Sequence, residues 1–496
     1  MSRFVPAFPL LITAVAVSAA VTGCKVGPNY HEPKSQMPSR FADSGPNPNS
    51  GPSTRPASQT LSVIDTQHSA WVRWWTTFHD SELDSLVLRA LSTNHELKIA
   101  EARVREARAV ERVAASELYP TIDISALVGA TRGSAAGFGF PYGDPGVAKS
   151  LYQIGFDATY EVDLFGGIRR TIEAAKANTQ ETEDERRGVQ VSLLGEVANE
   201  YIGLRSIQSR LAIAQHNLAD QQRTLAIVEK RLKIGLATTF DLVRARAQVD
   251  STRSSIPPLE AGVRQTIFAI SILLGQEPDA LTPELIATAP IPPVPPQVPV
   301  GLPSELLKRR PDIMGAERAL AAATAVQGVA TSDFFPHLIL GGTAGVQSTK
   351  VDNLFSQHNP SSGYYLAGPV AQWTIFDGGR RAANLDRAKA EVVAATESYE
   401  DTVLRALQDV DSELVAYSHD QGRRDDLVTV VAESKESVRI AQAEYSHGII
   451  DLLDVLEVQR NLYAAQDALA QAQQAVSSDL VALYKALGGG WEVNAS

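Results

Sequence analysis

Apolar residues along the chain switch between two spacings, and they do so twice in the same order. Leu83, Leu86, Leu91 and Leu97 open a helical period, and from Tyr119 the period falls to two. Ile122, Ile124, Ala126 and Val128 alternate with Thr121, Asp123, Ser125 and Leu127. The alternation is cleaner further on, where Tyr152, Ile154, Phe156, Ala158, Tyr160 and Val162 form one face and Gln153, Gly155, Asp157, Thr159, Glu161 and Asp163 the other. A loop carrying Gly133, Gly137, Gly139, Pro141 and Gly143 joins this pair of strands. The second half is looser, with Leu338, Leu340, Ala344 and Val346 after Pro336, then a strand from Tyr364 to Phe376 that Pro369 interrupts. Each strand pair runs into a long helical stretch, roughly 168–232 and 380–445. At 1.5 Å per residue, about 65 residues make a rod near 100 Å long.

The order recurs because the chain is internally duplicated. Lys233-Ile234-Gly235-Leu236 followed by Phe240-Asp241-Leu242 returns as His447-Gly448-Ile449 followed by Leu453-Asp454-Val455, about 213 residues later, and Leu274-Gly275 returns as Leu487-Gly488. Leu118-Tyr119-Pro120 answers Phe334-Phe335-Pro336, and Asn94-His95-Glu96-Leu97 answers Arg310-Pro311-Asp312-Ile313. A period this long makes each copy a structural half rather than a solenoid unit.

Strands with one apolar and one acidic face suit a wall between lipid and water, although a soluble hairpin on a core gives the same alternation. Four strands cannot close a membrane barrel, whose minimum is about eight, so several chains would have to pool them, and three would supply twelve. Leu452, Val455, Gln459, Leu462, Gln466, Leu469, Gln473, Val476, Leu480, Leu483 and Leu487 are spaced alternately three and four, a heptad seam loosened by three glutamines. Such a seam fits a tunnel wall that borders water or a solid antiparallel coiled coil.

The first 23 residues hold Arg3, an apolar run from Leu10 to Val21, and small residues before Cys24, the only cysteine, which reads as a signal peptide ending at a lipidation site. Residues 25–60 are rich in Pro, Ser, Asn and Gly, an extended arm. Trp71, Trp74, Trp75 and Phe78 then cluster, either to pack a helix start or to sit at a membrane interface. One lipidated residue anchors modestly, so a second membrane-binding feature is expected. Pro290, Pro292, Pro293, Pro295, Pro296, Pro299 and Pro303 form a stiff connector between the halves. The domain plan is a leader at 1–23, a lipidated arm at 24–75, a first repeat at 76–289, a linker at 290–303, a second repeat at 304–488 and a tail at 489–496.

A hydrophobic share of 44% with only 6% aromatics suits narrow helix seams. The net charge of −12 argues against a nucleic-acid partner. No zinc-spaced histidine pair, phosphate loop or nucleophile elbow occurs, so neither an enzyme nor a cofactor is expected.

The chain resembles the outer-membrane efflux ducts of the TolC type, in their lipoprotein (NodT) branch. Gly23-Cys24-Lys25-Val26-Gly27-Pro28-Asn29-Tyr30 looks like the start of that branch, and Trp74-Trp75 with Phe78 and Leu83 like its next block. Asp163-Leu164-Phe165-Gly166 and Ile375-Phe376-Asp377-Gly378-Gly379 look like its strand-to-helix junctions. The resemblance implies a mainly α fold with transmembrane β: a homotrimeric duct whose twelve-strand barrel, four strands per chain, continues into a long α-helical barrel. It implies a place in the outer membrane of a Gram-negative bacterium, lipid-anchored through acylated Cys24 and extending into the periplasm. The implied partners are a periplasmic adaptor and an inner-membrane pump of the RND type. Gly235 and Gly448 would turn the hairpins at the periplasmic tip and meet the adaptor. Asp454 and Glu457, with Asp451 and Leu453 beside them, match the family's acidic aperture. Tyr445 and Asp241 match gate positions, although Ile450 stands where the prototype has arginine, which points to a less polar lock. Asp454→Ala or Tyr445→Phe is expected to raise conductance. Asp123, Asp157, Glu161 and Asp163 would line the barrel lumen and favour cations.

The main rival is a lipidated periplasmic adaptor or coiled-coil scaffold, which would carry one hairpin flanked by compact strand-rich modules. A type I secretion duct is a further alternative. The cargo is not written in the sequence.

Overall fold

The computed structural model describes residues 24–33, 37–41, 62–64, 69–132, 148–295, 298–300, 303–355 and 362–493. The expected leader and the Gly-rich loop at 133–147 lie outside them. The chain divides into two compact units, each drawn from both sequence halves: residues 1–33, 105–181 and 317–398 in one, residues 34–104, 182–316 and 399–496 in the other.

The first unit is built on a four-stranded antiparallel sheet in the order β2-β3-β5-β6. Its strands are β2 (Thr121–Thr131), β3 (Lys149–Val162), β5 (His337–Ser348) and β6 (Gly363–Gln372), while the short β1 (Ser62–Ile64) and β4 (Val298–Val300) belong to the second unit. The register puts Ile124, Phe156 and Ala344 side by side, and Ala344 opposite Tyr365. One face therefore carries Ile122, Ile124, Val128, Ile154, Phe156, Leu340, Val346 and Tyr365, and most of these are exposed. A soluble hairpin would cover such a face with its own core, so this observation separates the two readings of the alternation. Among the described residues neither β2 nor β6 has a neighbour on its outer side, which leaves two long open edges. The last strand ends at Gln372 rather than Phe376, and Trp373 turns its indole N–H onto the Phe334 carbonyl at 3.1 Å.

The second unit holds the main core. Trp71, Trp74, Trp75 and Phe78 are buried there, with Trp74 stacked on Tyr484 at 5.6 Å and the Arg309 guanidinium 3.8 Å above Trp71. The aromatic cluster is therefore core, not a membrane-interface belt; each such side chain contributes about 2–3 kcal/mol by burial. Asp80 follows it and caps helix α1 (Ser81–Thr93), accepting from the backbone N–H groups of Glu82 and Leu83 while its other oxygen accepts from the Tyr201 hydroxyl at 2.8 Å.

Helix α2 (His95–Ser116) leads into the sheet, and α3 (Gly167–Lys233) leaves it. Then come α4 (Thr239–Ser254) and α5 (Ile256–Leu273), and in the second half α6 (Pro311–Ser332), α7 (Arg380–His447) and α8 (Leu452–Ala486). The long helices α3 and α7, of 67 and 68 residues, match the expected stretches closely. On α8 the heptad seam is buried at both ends and half-buried from Leu462 to Gln473, where Ala465, Ala470 and Ala472 are buried instead. Two of the three seam glutamines meet polar partners on α3: Gln459 donates to Thr224 at 3.0 Å, and Gln466 accepts from Asn217 at 3.3 Å. The proline connector is not a uniform polyproline stretch, because Pro299 lies inside β4, which pairs in parallel with β1.

The duplication is visible in matched contacts. Asn94 donates to the Leu273 carbonyl at the end of α5, and Arg310 donates to the Ala486 carbonyl at the end of α8. Helices α3, α5, α7 and α8 all end in the same paired hydrogen bonds around Gly235, Gly275, Gly448 and Gly488, each at positive φ.

Candidate functional site

The two hairpin turns fold by the same local chemistry. The Gly235 N–H donates to the Leu232 carbonyl and the Leu236 N–H to that of Arg231; Gly448 and Ile449 repeat this onto Tyr445 and Glu444. Both glycines have φ of 76°, which a side chain would strain. The following helices begin alike. Asp241 accepts from the Thr238 backbone N–H at 2.8 Å and Thr238 Oγ1 accepts from the Asp241 N–H at 3.1 Å; Asp454 accepts from the Asp451 N–H at 3.2 Å. Asp241 and Asp454 thus hold equivalent capping positions about 213 residues apart.

Behind the turns lies a compact apolar cluster of Val228, Ala245, Tyr445, Leu452, Val455 and Leu456, with Leu242 and Ile450 at its edge. Ile450 therefore contributes packing where the resemblance implied an arginine. A guanidinium is nevertheless present. Arg231, from the end of α3, lies 4.6 Å over the Tyr445 ring and donates Nη1 to the Tyr445 carbonyl at 2.6 Å. Burial pushes the Tyr445 hydroxyl above its ordinary range; Arg231 works against that shift, while Asp241 and Asp451 add to it. Arg231 carries no signal in the sequence, because its duplicate position is Glu444, which shares no pattern with it.

Asp451, Leu453, Asp454 and Glu457 stand together on the exposed side of the first turns of α8, opposite buried Leu452, Val455 and Leu456. Ile234, Leu236, Phe240 and Ile449 are exposed beside the turns. The tip of each chain thus presents apolar side chains next to three carboxylates.

On the sheet, Asp123 and Asp157 are direct cross-strand partners, and Asp157 accepts from the Ser125 hydroxyl at 2.7 Å. Glu161 meets His337 Nδ1 at 2.7 Å on the same face. Tyr364 crosses this face to accept from Gln153 at 2.8 Å, over Gly155 and Gly345, whose missing side chains make room for the ring. Asp163 departs from the expected wall position. It lies past the end of β3, and its carboxylate accepts from Arg169 Nε at 2.9 Å and from the Arg169 backbone N–H at 3.0 Å, which starts α3. The second junction reproduces this with Asp377 and Arg381, although the carboxylate comes from a shifted position in the loop. Cys24 is exposed.

The profile of the family described as "Outer membrane efflux protein" matches residues 86–276 and 302–489, one match for each half of the chain. The chain belongs to that family. The cation efflux system protein CusC of Escherichia coli is 31% identical over 484 residues, covering 98% of this chain and 99% of its own. The pyoverdine export outer membrane protein OpmQ of Pseudomonas aeruginosa is 34% identical over 425 residues, 85% of this chain and 88% of its own. The solved structure of the outer-membrane channel OprN superposes with a TM-score of 0.85 at 34% identity, over 95% of this chain and all of that one. The fold is thus that of the trimeric TolC-like channels, and the protein is an outer-membrane exit duct of an efflux system. Membership also explains the open sheet edges: the wall closes when three chains contribute four strands each. The scaffold alternative is set aside, because the chain carries two tip hairpins and an exposed-faced sheet rather than one hairpin among compact modules.

Proposed function

We propose that this duct is acylated at Cys24, receives cargo from an RND-type pump through a periplasmic adaptor, and is gated at the tip formed by the Gly235 and Gly448 turns. The observation that carries the reading is the tip itself. Exposed Ile234, Leu236, Phe240 and Ile449 give an apolar seat for a helical hairpin, and Asp451, Asp454 and Glu457 stand beside it. Threefold symmetry brings three copies of each carboxylate around one axis, a ring that narrows the passage and attracts cations. Arg231 over Tyr445 fastens the two hairpins of one chain, so opening requires that contact to yield. The barrel wall carries Asp123, Asp157 and Glu161 toward the lumen, and the duct favours cations over anions there.

The relatives named for cation efflux and for pyoverdine export match 98% and 85% of this chain. Cargo choice therefore rests with the pump, and the duct recognises its adaptor. The test is co-purification from membranes after in-cell crosslinking at Leu236 and Ile449. Recovery of a periplasmic adaptor with an RND pump supports the reading. A secretion-type ATP-driven transporter recovered in their place contradicts it.

A further inference from the structure

Arg170 is the least expected side chain in the first unit: a guanidinium with 0% exposure just inside the start of α3. A buried cation is costly unless its donors are used. Here they are spent on the arm that follows Cys24. Nε donates to the Val26 carbonyl at 3.1 Å, and Nη2 to the Gly27 carbonyl at 3.2 Å and to Asn29 Oδ1 at 2.9 Å. Nη1 pairs with Glu173 at 2.9 Å, and Glu173 also pairs with Lys25. Burial opposes ionisation of Glu173, yet the bonds from Lys25 and Arg170 hold its carboxyl below the usual range.

Glycines shape the same place. A side chain on Gly328 would meet Arg170 Cδ and Nε at 2.7 Å, and one on Gly27, at φ +84°, would meet the Gly328 Cα at 2.7 Å. The Val26 N–H donates to the Phe165 carbonyl at 3.1 Å, three residues past the end of β3, and Phe165 stacks on Phe335 at 4.6 Å before β5. At the other end of the segment, the Tyr30 hydroxyl donates to Glu317 at 2.7 Å. Residues 25–30 are thus docked at both ends and in the middle, by contacts that involve no lipid.

We propose that Arg170 is the positioning residue of the membrane anchor: by reading the backbone of Val26 and Gly27 it fixes Cys24 at the strand-to-helix end of the sheet. Two residues span at most about 7 Å, so the thiol leaves the body within that reach of the Val26–Phe165 bond. Acyl chains on Cys24 then start beside the lower edge of the apolar face, where Val162 and Leu338 close it, instead of trailing on the 36-residue arm. The inference rests on the reading of Cys24 as acylated.

The test uses the full-length protein in outer membranes with spin labels at Glu32→Cys and Lys176→Cys, both exposed positions of the first unit. The expected result, in trimers holding one labelled chain among unlabelled ones, is a single narrow distance that Arg170→Met and Gly27→Ala each abolish, while trimers persist and the acylated mass of the N-terminal peptide is unchanged. Cys24→Ser should keep the narrow distance, because the dock does not need the lipid. Gly27→Ala leaves Arg170 in place and forces the arm away from Gly328, so it carries the test if Arg170→Met fails to assemble. A narrow distance that survives both variants, or one lost only in Cys24→Ser, overturns the proposal. An unacylated Cys24 in the mass spectrum with the distance still narrow removes the anchor and leaves the dock standing, so the two readings fail separately.

Discussion

Arg231 holds Tyr445 twice, through its guanidinium 4.6 Å above the phenol ring and through a 2.6 Å hydrogen bond from Nη1 to the Tyr445 carbonyl oxygen. That carbonyl also accepts from the Gly448 N–H, so Arg231 caps the end of α7 from the end of α3. A charge-assisted bond contributes about 1.5–3 kcal/mol and a cation–π contact about 0.5–2. Arg231→Ala is expected to raise conductance in planar bilayers. Tyr445→Phe should raise it less, since the ring and the carbonyl both remain. Conductance of Arg231→Ala equal to wild type would remove this contact from the gate.

Asp454 has two roles that substitution can separate. As the partner of the Asp451 N–H it closes the cap of α8, and as an exposed carboxylate it would charge the proposed aperture. Asp454→Asn keeps an acceptor and loses the charge, so cation preference should fall with little change in tip stability. Asp454→Ala loses both, costing about 0.5–2 kcal/mol of cap stability as well and raising conductance further. Reversal potentials and single-channel currents of the two variants decide it; identical behaviour of Asp454→Asn and Asp454→Ala would show that the cap plays no part in the gate.

The Gly235 turn should tolerate a side chain sterically but not conformationally. Nothing lies within 4 Å of a Cβ built there, yet φ is +76°. Gly235→Ala is expected to cost about 1–2 kcal/mol locally. Faster hydrogen exchange at the Leu236 N–H, which closes the turn onto the Arg231 carbonyl, would report it. Unchanged exchange would show that the turn is held by something other than its backbone geometry.

Asp479 on α8 gives a pH dependence with a definite sign. Burial, with the charges of Asp420 and Glu413 and a hydrogen bond with Asp420, raises its pKa from 3.8 to about 7. The folded chain therefore binds this proton more tightly than the unfolded chain, and stability falls as pH rises from about 4 to about 7. Asp479→Asn should stabilise the protein at pH 8 and do little at pH 4. Thermal midpoints at the two pH values test this; a gain confined to pH 4 would reverse the argument.

Much of this was legible from periodicity. The alternation from Tyr152 to Val162 lies within β3, and the long helical stretches end at Lys233 and His447, because a one-faced strand and a seam-bearing helix both write their period directly into the chain. Contacts between distant segments were not legible. Arg231 on Tyr445 and Arg170 on the arm join residues more than one hundred and forty apart, and no local spacing encodes them. Asp163 continues the period of two and so reads as a wall residue, but Arg169 claims its carboxylate where the strand ends. The tryptophan cluster shows the same limit: its residues suit an interface or a core equally, and Tyr484, near the C-terminal end, and Arg309, more than two hundred residues further along than the cluster, decide for the core.

Among its described residues one chain leaves the sheet open at β2 and β6, and the mass of the conducting species in native lipid shows directly how the wall closes. Three copies are expected, with conductance lost when the complex dissociates. A single copy that still conducts would contradict it.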